Sequence, residues 1–163
     1  MPGLGGVGFS ALLAAVASGA REVVALDLNE AKLALARELG ATATINAGDP
    51  DAAERVRELT KGGVDCAFEM AGAIPAMELA WRITRRGGST ISAGLPHPDK
   101  RFALPPVQLV AEERTLRGSY IGLYQRGKLP VDRLMGEHLA LEDTNRGFDR
   151  MASGVAMRDV VML

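Results

Sequence analysis

Glycines at positions 3, 5 and 8 open a run rich in alanine and leucine, and Asp27 stands nineteen positions beyond Gly8, near the end of the next apolar segment. No other feature constrains the fold as tightly. In a G-x-G-x-x-G turn each glycine has a physical role. Gly3 permits a tight strand-to-helix turn, Gly5 lets backbone approach a diphosphate with no Cβ in the way, and Gly8 lets the helix pack close to the sheet. A diphosphate there meets unpaired N–H groups at the helix N-terminus, where the dipole favours negative charge. Such a turn normally follows a buried strand, yet only Met1 and Pro2 precede it.

The rest of the chain alternates. GVGFSALLAAVAS (residues 6–18) reads as a helix that Gly19 stops. EVVALDL (22–28) is a near-continuous apolar strand. Asn29 can cap the helix EAKLALAREL, in which Leu28, Ala31, Leu35 and Leu39 are expected to share a face. ATATIN reads as a short strand, and Asp51 caps AAERVRELT. VDCAFEM is a strand, residues 74–84 a helix and STISAGL a strand. A proline-rich connection leads to TLRGSYIG, then to helical pieces at LYQRG and EDTNRGFDRMA, and DVVML is a last strand. Strands separated by helices of about ten residues predict an α/β fold, a parallel sheet covered on both faces. No repeat or interdomain linker breaks residues 1–163, so one domain is expected.

Composition narrows the function. The chain carries 19 basic and 20 acidic residues, interspersed, for a formal net charge of −1. Without a basic stripe, no nucleic-acid partner is expected. The longest apolar run, residues 11–17, is too short to span a bilayer and lacks the flanks of a secretory signal, so no membrane partner is expected either. Cys66 is the single cysteine, which excludes an intramolecular disulfide and a cysteine-rich zinc site. A cytoplasmic location is the corresponding expectation. Cys66 alternates into a strand and is expected in the core.

Asp27 gives the glycine turn a ligand class. At the end of the second strand of a dinucleotide-binding unit, an acid about 20 residues on accepts hydrogen bonds from the adenosine ribose hydroxyls. A 2′-phosphate would face its charge. At ~4 Å and an effective dielectric near 20 that costs on the order of 4 kcal/mol, which predicts NAD over NADP. Leu28 offers an apolar surface to the adenine. A plain structural turn remains one alternative. An S-adenosylmethionine methyltransferase is another, although those enzymes usually place an acid just before the glycines, where this chain has Met1-Pro2.

GLGGVG, DLNEAKLALARELGAT, DCAFEMAG, RGGSTISAGLP, RTLRGSYIG, NRGFDRM and RDVVML, in that order, resemble the coenzyme-binding domain of the medium-chain, zinc-dependent alcohol dehydrogenases. Within that family the likeness is to the branch of liver alcohol dehydrogenase and glutathione-dependent formaldehyde dehydrogenase. The resemblance implies a Rossmann-type doubly wound parallel sheet, apparently lacking its first strand. It also implies roles position by position. Gly5, Gly6 and Val7 match the turn that holds the pyrophosphate, with Val7 against the nicotinamide ring. Asp27 and Lys32 match the pair that holds the adenosine ribose. Ala71 and Gly72 match a loop bordering the ribose. Ala93, Leu95, Ser119 and Ile121 match positions whose backbone meets the nicotinamide carboxamide. Arg158 matches an arginine that reaches the cofactor phosphates, a task suited to a guanidinium. Residues 104–110 fall where family members pair into a homodimer.

The same resemblance marks what these residues do not supply. In the family a separate domain provides the catalytic zinc ligands, two cysteines and a histidine. Cys66, His97 and His138 do not reproduce that set, and both histidines are expected to face solvent. The expected function is therefore the NAD(H)-binding domain of a zinc-type alcohol dehydrogenase, an oxidoreductase acting on an alcohol or aldehyde and inactive as this domain alone. A fragment is expected, with no catalytic or metal residue of its own. The alternative is a non-catalytic nucleotide-binding module or subunit. Without a leading strand, backbone groups on both of its neighbours would go unpaired, at ~1–3 kcal/mol each where buried.

Overall fold

The computed structural model describes residues 1–119, 136–154 and 160–162. LYQRG, Ile121 and Arg158 lie outside the described residues. Helix α1 (Gly6–Ala17) follows the glycine turn and leads to β1 (Val24–Asp27). Then come α2 (Glu30–Glu38), β2 (Ala43–Asn46), α3 (Ala52–Leu59) and β3 (Val64–Glu69). Next are α4 (Ile74–Ile83), β4 (Thr84–Ser92), α5 (Pro106–Ala111) and β5 (Thr115–Gly118). A small parallel pair, β6 (His138–Ala140) and β7 (Val160–Met162), is joined by a 3₁₀ turn and α6 (Thr144–Ala152).

The main strands are all parallel, in two ladders: β1 with β2, and β3–β4–β5. Residues 1–3 lie between the ladders. The Leu26 amide donates to the Met1 carbonyl at 3.0 Å, the Gly3 amide to Leu26 at 2.9 Å, and the Met70 amide to Pro2 at 2.9 Å. Pro2 and Leu26 form a parallel bridge. These three residues thus hold the position of a first strand at its C-terminal end, and the order is β2–β1–(1–3)–β3–β4–β5. The sequence reading of a sheet lacking its first strand is refined accordingly. The last residues of that strand are present and pair with both neighbours.

β1 is covered on both faces, which explains why it reads as a continuous apolar run, whereas β5 is exposed along its length. Side chains alternate along a strand. Val23 and Ala25 therefore join Phe9, Leu12 and Leu33 in a cluster under α1 and α2. Val24 and Leu26 join Ile45, Val56, Ala67 and Ile83 in a cluster under α3 and α4. In α2 the buried stripe is Leu33, Ala36 and Leu39, whereas Ala31 is exposed and Leu28 is 72% exposed. The expected face of Leu28, Ala31, Leu35 and Leu39 is thus displaced around the helix, because Leu28 precedes the helix and projects at the sheet's edge. Asn29 does cap α2, its Oδ1 accepting from the Ala31 and Lys32 amides. Asp51 occupies the cap position of α3 without a side-chain hydrogen bond.

One further reading is corrected. Cys66 is exposed, not buried. It shares strand parity with Phe68 and Met70, which pack on the α1–α2 cluster. But residues 1–3 reach only the far end of β3, through Met70, and the register with β4 shifts between Val64 and Cys66. His97, in its loop, and His138, in β6, are both exposed, as expected.

Candidate nucleotide site

The C-terminal ends of the strands carry the site. The chain leaves residues 1–3 with β1 on one side and β3 on the other, so the connections diverge there. In open α/β sheets that switch point is where ligands bind. A cleft of about 730 Å³ opens at this edge, lined in part by Gly3, Asp27, Leu28 and Ala71 and extending toward Trp81 and Gln108. Its volume is that of a small-molecule site.

The glycine turn is set by close contacts. Gly3 has φ +95°, and a Cβ there would come within 2.6 Å of the Ala71 amide nitrogen. A Cβ on Gly8 would overlap the Gly3 carbonyl, so the first turn of α1 lies directly on the end of residues 1–3. Gly5 is the opposite case, because nothing lies within 4 Å of where its Cβ would be. The space beside Gly5 is open, and Gly5 and Val7 are exposed. Gly5 caps α1 without a side-chain hydrogen bond, so the N–H groups of residues 6–8 have neither an intrahelical acceptor nor a side-chain cap. Such an end suits an anion.

Asp27 ends β1 and joins the turn to the strand. Its Oδ2 accepts from the Leu4 amide at 2.7 Å and its Oδ1 from the Asn29 amide at 3.0 Å. The carboxylate is thereby oriented by two backbone donors, and each oxygen keeps acceptor capacity for a hydroxyl. Lys32 stands in the first turn of α2, its amide bonded to the Asn29 cap, and its side chain is half-buried.

The remaining positions gather along the same edge. Ala71 lies against Gly3, and a Cβ on Gly72 would come within 2.9 Å of the Leu95 amide nitrogen. The Ala93 amide donates to the Glu69 carbonyl at 2.9 Å, and the Ser119 amide to Ser92 at 2.8 Å. Gly3, Asp27, Leu28, Ala71, Gly72, Ala93, Leu95 and Ser119 are therefore brought to one rim, with Gly5 capping, and Gly6, Val7 and Gly8 opening, the helix that rises from it. Ile121 and Arg158 lie outside the described residues.

Sequence reasoning passed over Glu69. Its side chain is 1% exposed at the end of β3. Oε1 accepts from the Ala71 and Gly72 amides at 2.8 and 2.7 Å, and Oε2 from the Ser92 hydroxyl at 2.8 Å. An acid inside the apolar run AFEMAG was the available signal.

These features fit a dinucleotide: an uncapped helix end with open space at Gly5, an oriented carboxylate, and an apolar flank at Leu28. They do not fit a zinc centre. Cys66, His97 and His138 sit on β3, a loop and β6, and among the described residues no group of three or more His, Cys, Asp or Glu side chains could hold a metal. Among the described residues, too, no helix is long and apolar enough to cross a membrane.

Comparison with known proteins agrees with this geometry. The family model described as zinc-binding dehydrogenase matches residues 6–135. Alcohol dehydrogenases 1 and 2 of Zea mays are 32% and 34% identical over 177 residues, covering 99% of this chain and 46% of theirs. Among solved structures, an alcohol dehydrogenase zinc-binding domain protein from Burkholderia ambifaria aligns at a TM-score of 0.90 and 30% identity, over 99% of this chain and 47% of that one. Benzyl alcohol dehydrogenase from Acinetobacter calcoaceticus aligns at a TM-score of 0.90 and 29% identity, over 98% and 48%. The chain spans about half the length of these relatives. With the family model matching residues 6–135, this chain belongs to the zinc-binding dehydrogenases.

Proposed function

We propose that residues 1–163 form the NAD(H)-holding domain of an alcohol dehydrogenase. The parent reaction is reversible hydride transfer between an alcohol carbon and the nicotinamide. The observation that carries this reading is the Asp27 carboxylate at the mouth of the cleft, held by the Asn29 amide and by the amide of Leu4, the residue before Gly5 and its open space. The pyrophosphate rests on the amides of residues 6–8, the adenosine ribose on Asp27 with Lys32 beside it, and the adenine against Leu28. Ala71 and Gly72 border the ribose on the side where Gly72 meets Gly94 and Leu95. Backbone at Ala93, Leu95 and Ser119 faces the carboxamide and Val7 faces the ring; the family resemblance adds Ile121 and Arg158, which lie outside the described residues. When bound, the nicotinamide supplies the hydride acceptor; these residues bind it, orient it and select it against NADP.

Zinc chemistry on the alcohol belongs to residues other than these, and the 163-residue chain by itself is expected to form no NADH from alcohols. The parent is proposed to be a cytoplasmic homodimer. Val107 and Val110 on α5, inside the apolar stretch 104–110, are exposed and available for pairing. Calorimetric titration tests the cofactor reading. NAD should bind the chain at least tenfold more tightly than NADP, and Asp27→Ala should weaken NAD and narrow that gap. Equal affinity for both cofactors in the unaltered chain would remove Asp27 from its role.

A further inference from the structure

Resting on the cofactor reading above, we propose that Glu69 is a positioning residue that sets the nicotinamide half of the site while leaving the adenosine half to Asp27. A carboxylate buried this fully is costly unless each oxygen is satisfied. Here both are. Oε1 takes two successive amides, Ala71 and Gly72, and Oε2 takes the Ser92 hydroxyl. The Glu69 main-chain carbonyl adds a second link to the same segment, accepting from the Ala93 and Gly94 amides at 2.9 and 3.3 Å. One residue thus ties the loop after β3 to the loop after β4 by side chain and backbone together.

Packing makes the tie consequential. A Cβ at Gly94 would lie 2.8 Å from Glu69 Oε2 and would overlap the Gly72 amide, so the two loops touch backbone to backbone around the carboxylate. Ala71 in turn abuts Gly3. If Glu69 Oε1 is removed, the Ala71 and Gly72 amides lose their shared acceptor and the Ala93–Leu95 segment loses its backstop. Asp27 is oriented separately, by Leu4 and Asn29, and makes no hydrogen bond in this network. Charge-assisted hydrogen bonds to backbone amides are also the strong kind, which gives this one side chain leverage over the loop positions.

The test compares NAD with ADP, which keeps the adenosine and diphosphate but lacks the nicotinamide nucleoside. Both are titrated calorimetrically into the 163-residue chain, below the melting temperature of every variant used. Glu69→Ala should weaken NAD about ten- to hundredfold and ADP less than about threefold. Glu69→Gln should restore NAD binding to within about threefold of the original. Its amide oxygen can accept both N–H groups, and its NH₂ can donate to the rotatable Ser92 hydroxyl. Ser92→Ala, a milder change that keeps Oε1 in place, should weaken NAD about three- to tenfold with ADP unchanged. The positioning role is overturned if Glu69→Ala or Ser92→Ala binds NAD as the original does. Equal loss of NAD and ADP, or a Glu69→Gln as weak as Glu69→Ala, overturns it too. An unaltered chain that binds neither ligand overturns the cofactor reading itself, an outcome distinct from all of these.

Discussion

The Leu4 amide and the Asp27 carboxylate meet at 2.7 Å, joining the glycine turn to the tip of β1 across twenty-three residues of sequence. Leu4 is fully buried, so its N–H has no water to fall back on. The acid proposed to select the cofactor is therefore also a structural acceptor for the loop proposed to hold the diphosphate. Shape and ligand recognition are coupled through one side chain, and a change at Asp27 reaches both.

That coupling predicts a stability effect in the absence of any nucleotide. Asp27→Ala strands the buried Leu4 amide and frees the Asn29 amide, and should cost about 1–3 kcal/mol. Asp27→Asn keeps one acceptor oxygen, which can serve Leu4 after a side-chain flip, and should cost about half as much. Urea denaturation of the three chains without ligand measures this. An Asp27→Ala chain as stable as the original would mean that the Leu4 contact carries no net energy.

Gly5 and Gly8 should separate stability from binding. Gly8→Ala drives a methyl into the Gly3 carbonyl, a backbone atom fixed by its neighbours, and should destabilise the chain by at least about 2 kcal/mol. Gly5→Ala meets open space and has an extended backbone at φ −83°, ψ −170°, so its cost should stay below about 1 kcal/mol. The new methyl nonetheless enters the volume proposed for the diphosphate. NAD affinity should fall tenfold or more in Gly5→Ala while its melting curve barely moves. Denaturation and titration on the same preparations distinguish the two.

Much of this was legible in the sequence because two independent periodicities agree. The near-continuous apolar run at β1 and the helical runs around it point to a parallel sheet buried on both faces; the structure has the parallel strands and buries β1 on both faces, but leaves β5 exposed. Gly3 and Gly8 were readable because their roles are backbone geometry, and Asp27 stood out by its spacing from them. What escaped depends on contacts distant in sequence. Glu69 resembles any strand-end acid until Ala71, Gly72 and Ser92 are seen to surround it. The α2 stripe shifted because Leu28 lies ahead of the cap, where helical periodicity no longer applies. Cys66 followed the strand's alternation, but alternation gives only the face of the sheet and says nothing of what covers that face.

The Met1 amine gives a pH dependence with a definite sign. In the folded chain it donates to the Val24 carbonyl at 2.7 Å from a buried position, and the cost of desolvating its charge lowers its pKa from 8.0 to about 5. Between these values the unfolded chain binds more protons than the folded one, so stability rises with pH across that window. The contribution is fully present above about pH 8 and is lost as pH falls through about 5. The full span is worth at most about 4 kcal/mol. Denaturation midpoints at intervals from pH 5 to 9 should show this slope in a polypeptide beginning with a free Met1 amine. They should show a shallower one after acetylation of Met1, because the other titrating groups are common to both chains. Parallel curves would mean that the amine finds solvent in the folded state.

Cys66 offers a direct check on the open end of β3. Both Asp65 and Cys66 are exposed there, while Ala67 and Glu69 further along the same strand are buried. A thiol in a packed core reacts only through opening of the structure, at a rate that follows stability. An exposed one needs no opening. With a chromogenic disulfide reagent at pH 8, Cys66 should therefore react in the native chain at a rate within about tenfold of that in the urea-unfolded chain. Raising stability with an osmolyte should leave the native rate almost unchanged, because osmolytes act on the unfolding equilibrium. Protection that grows with osmolyte concentration would place Cys66 back in the core and close the gap between residues 1–3 and the start of β3.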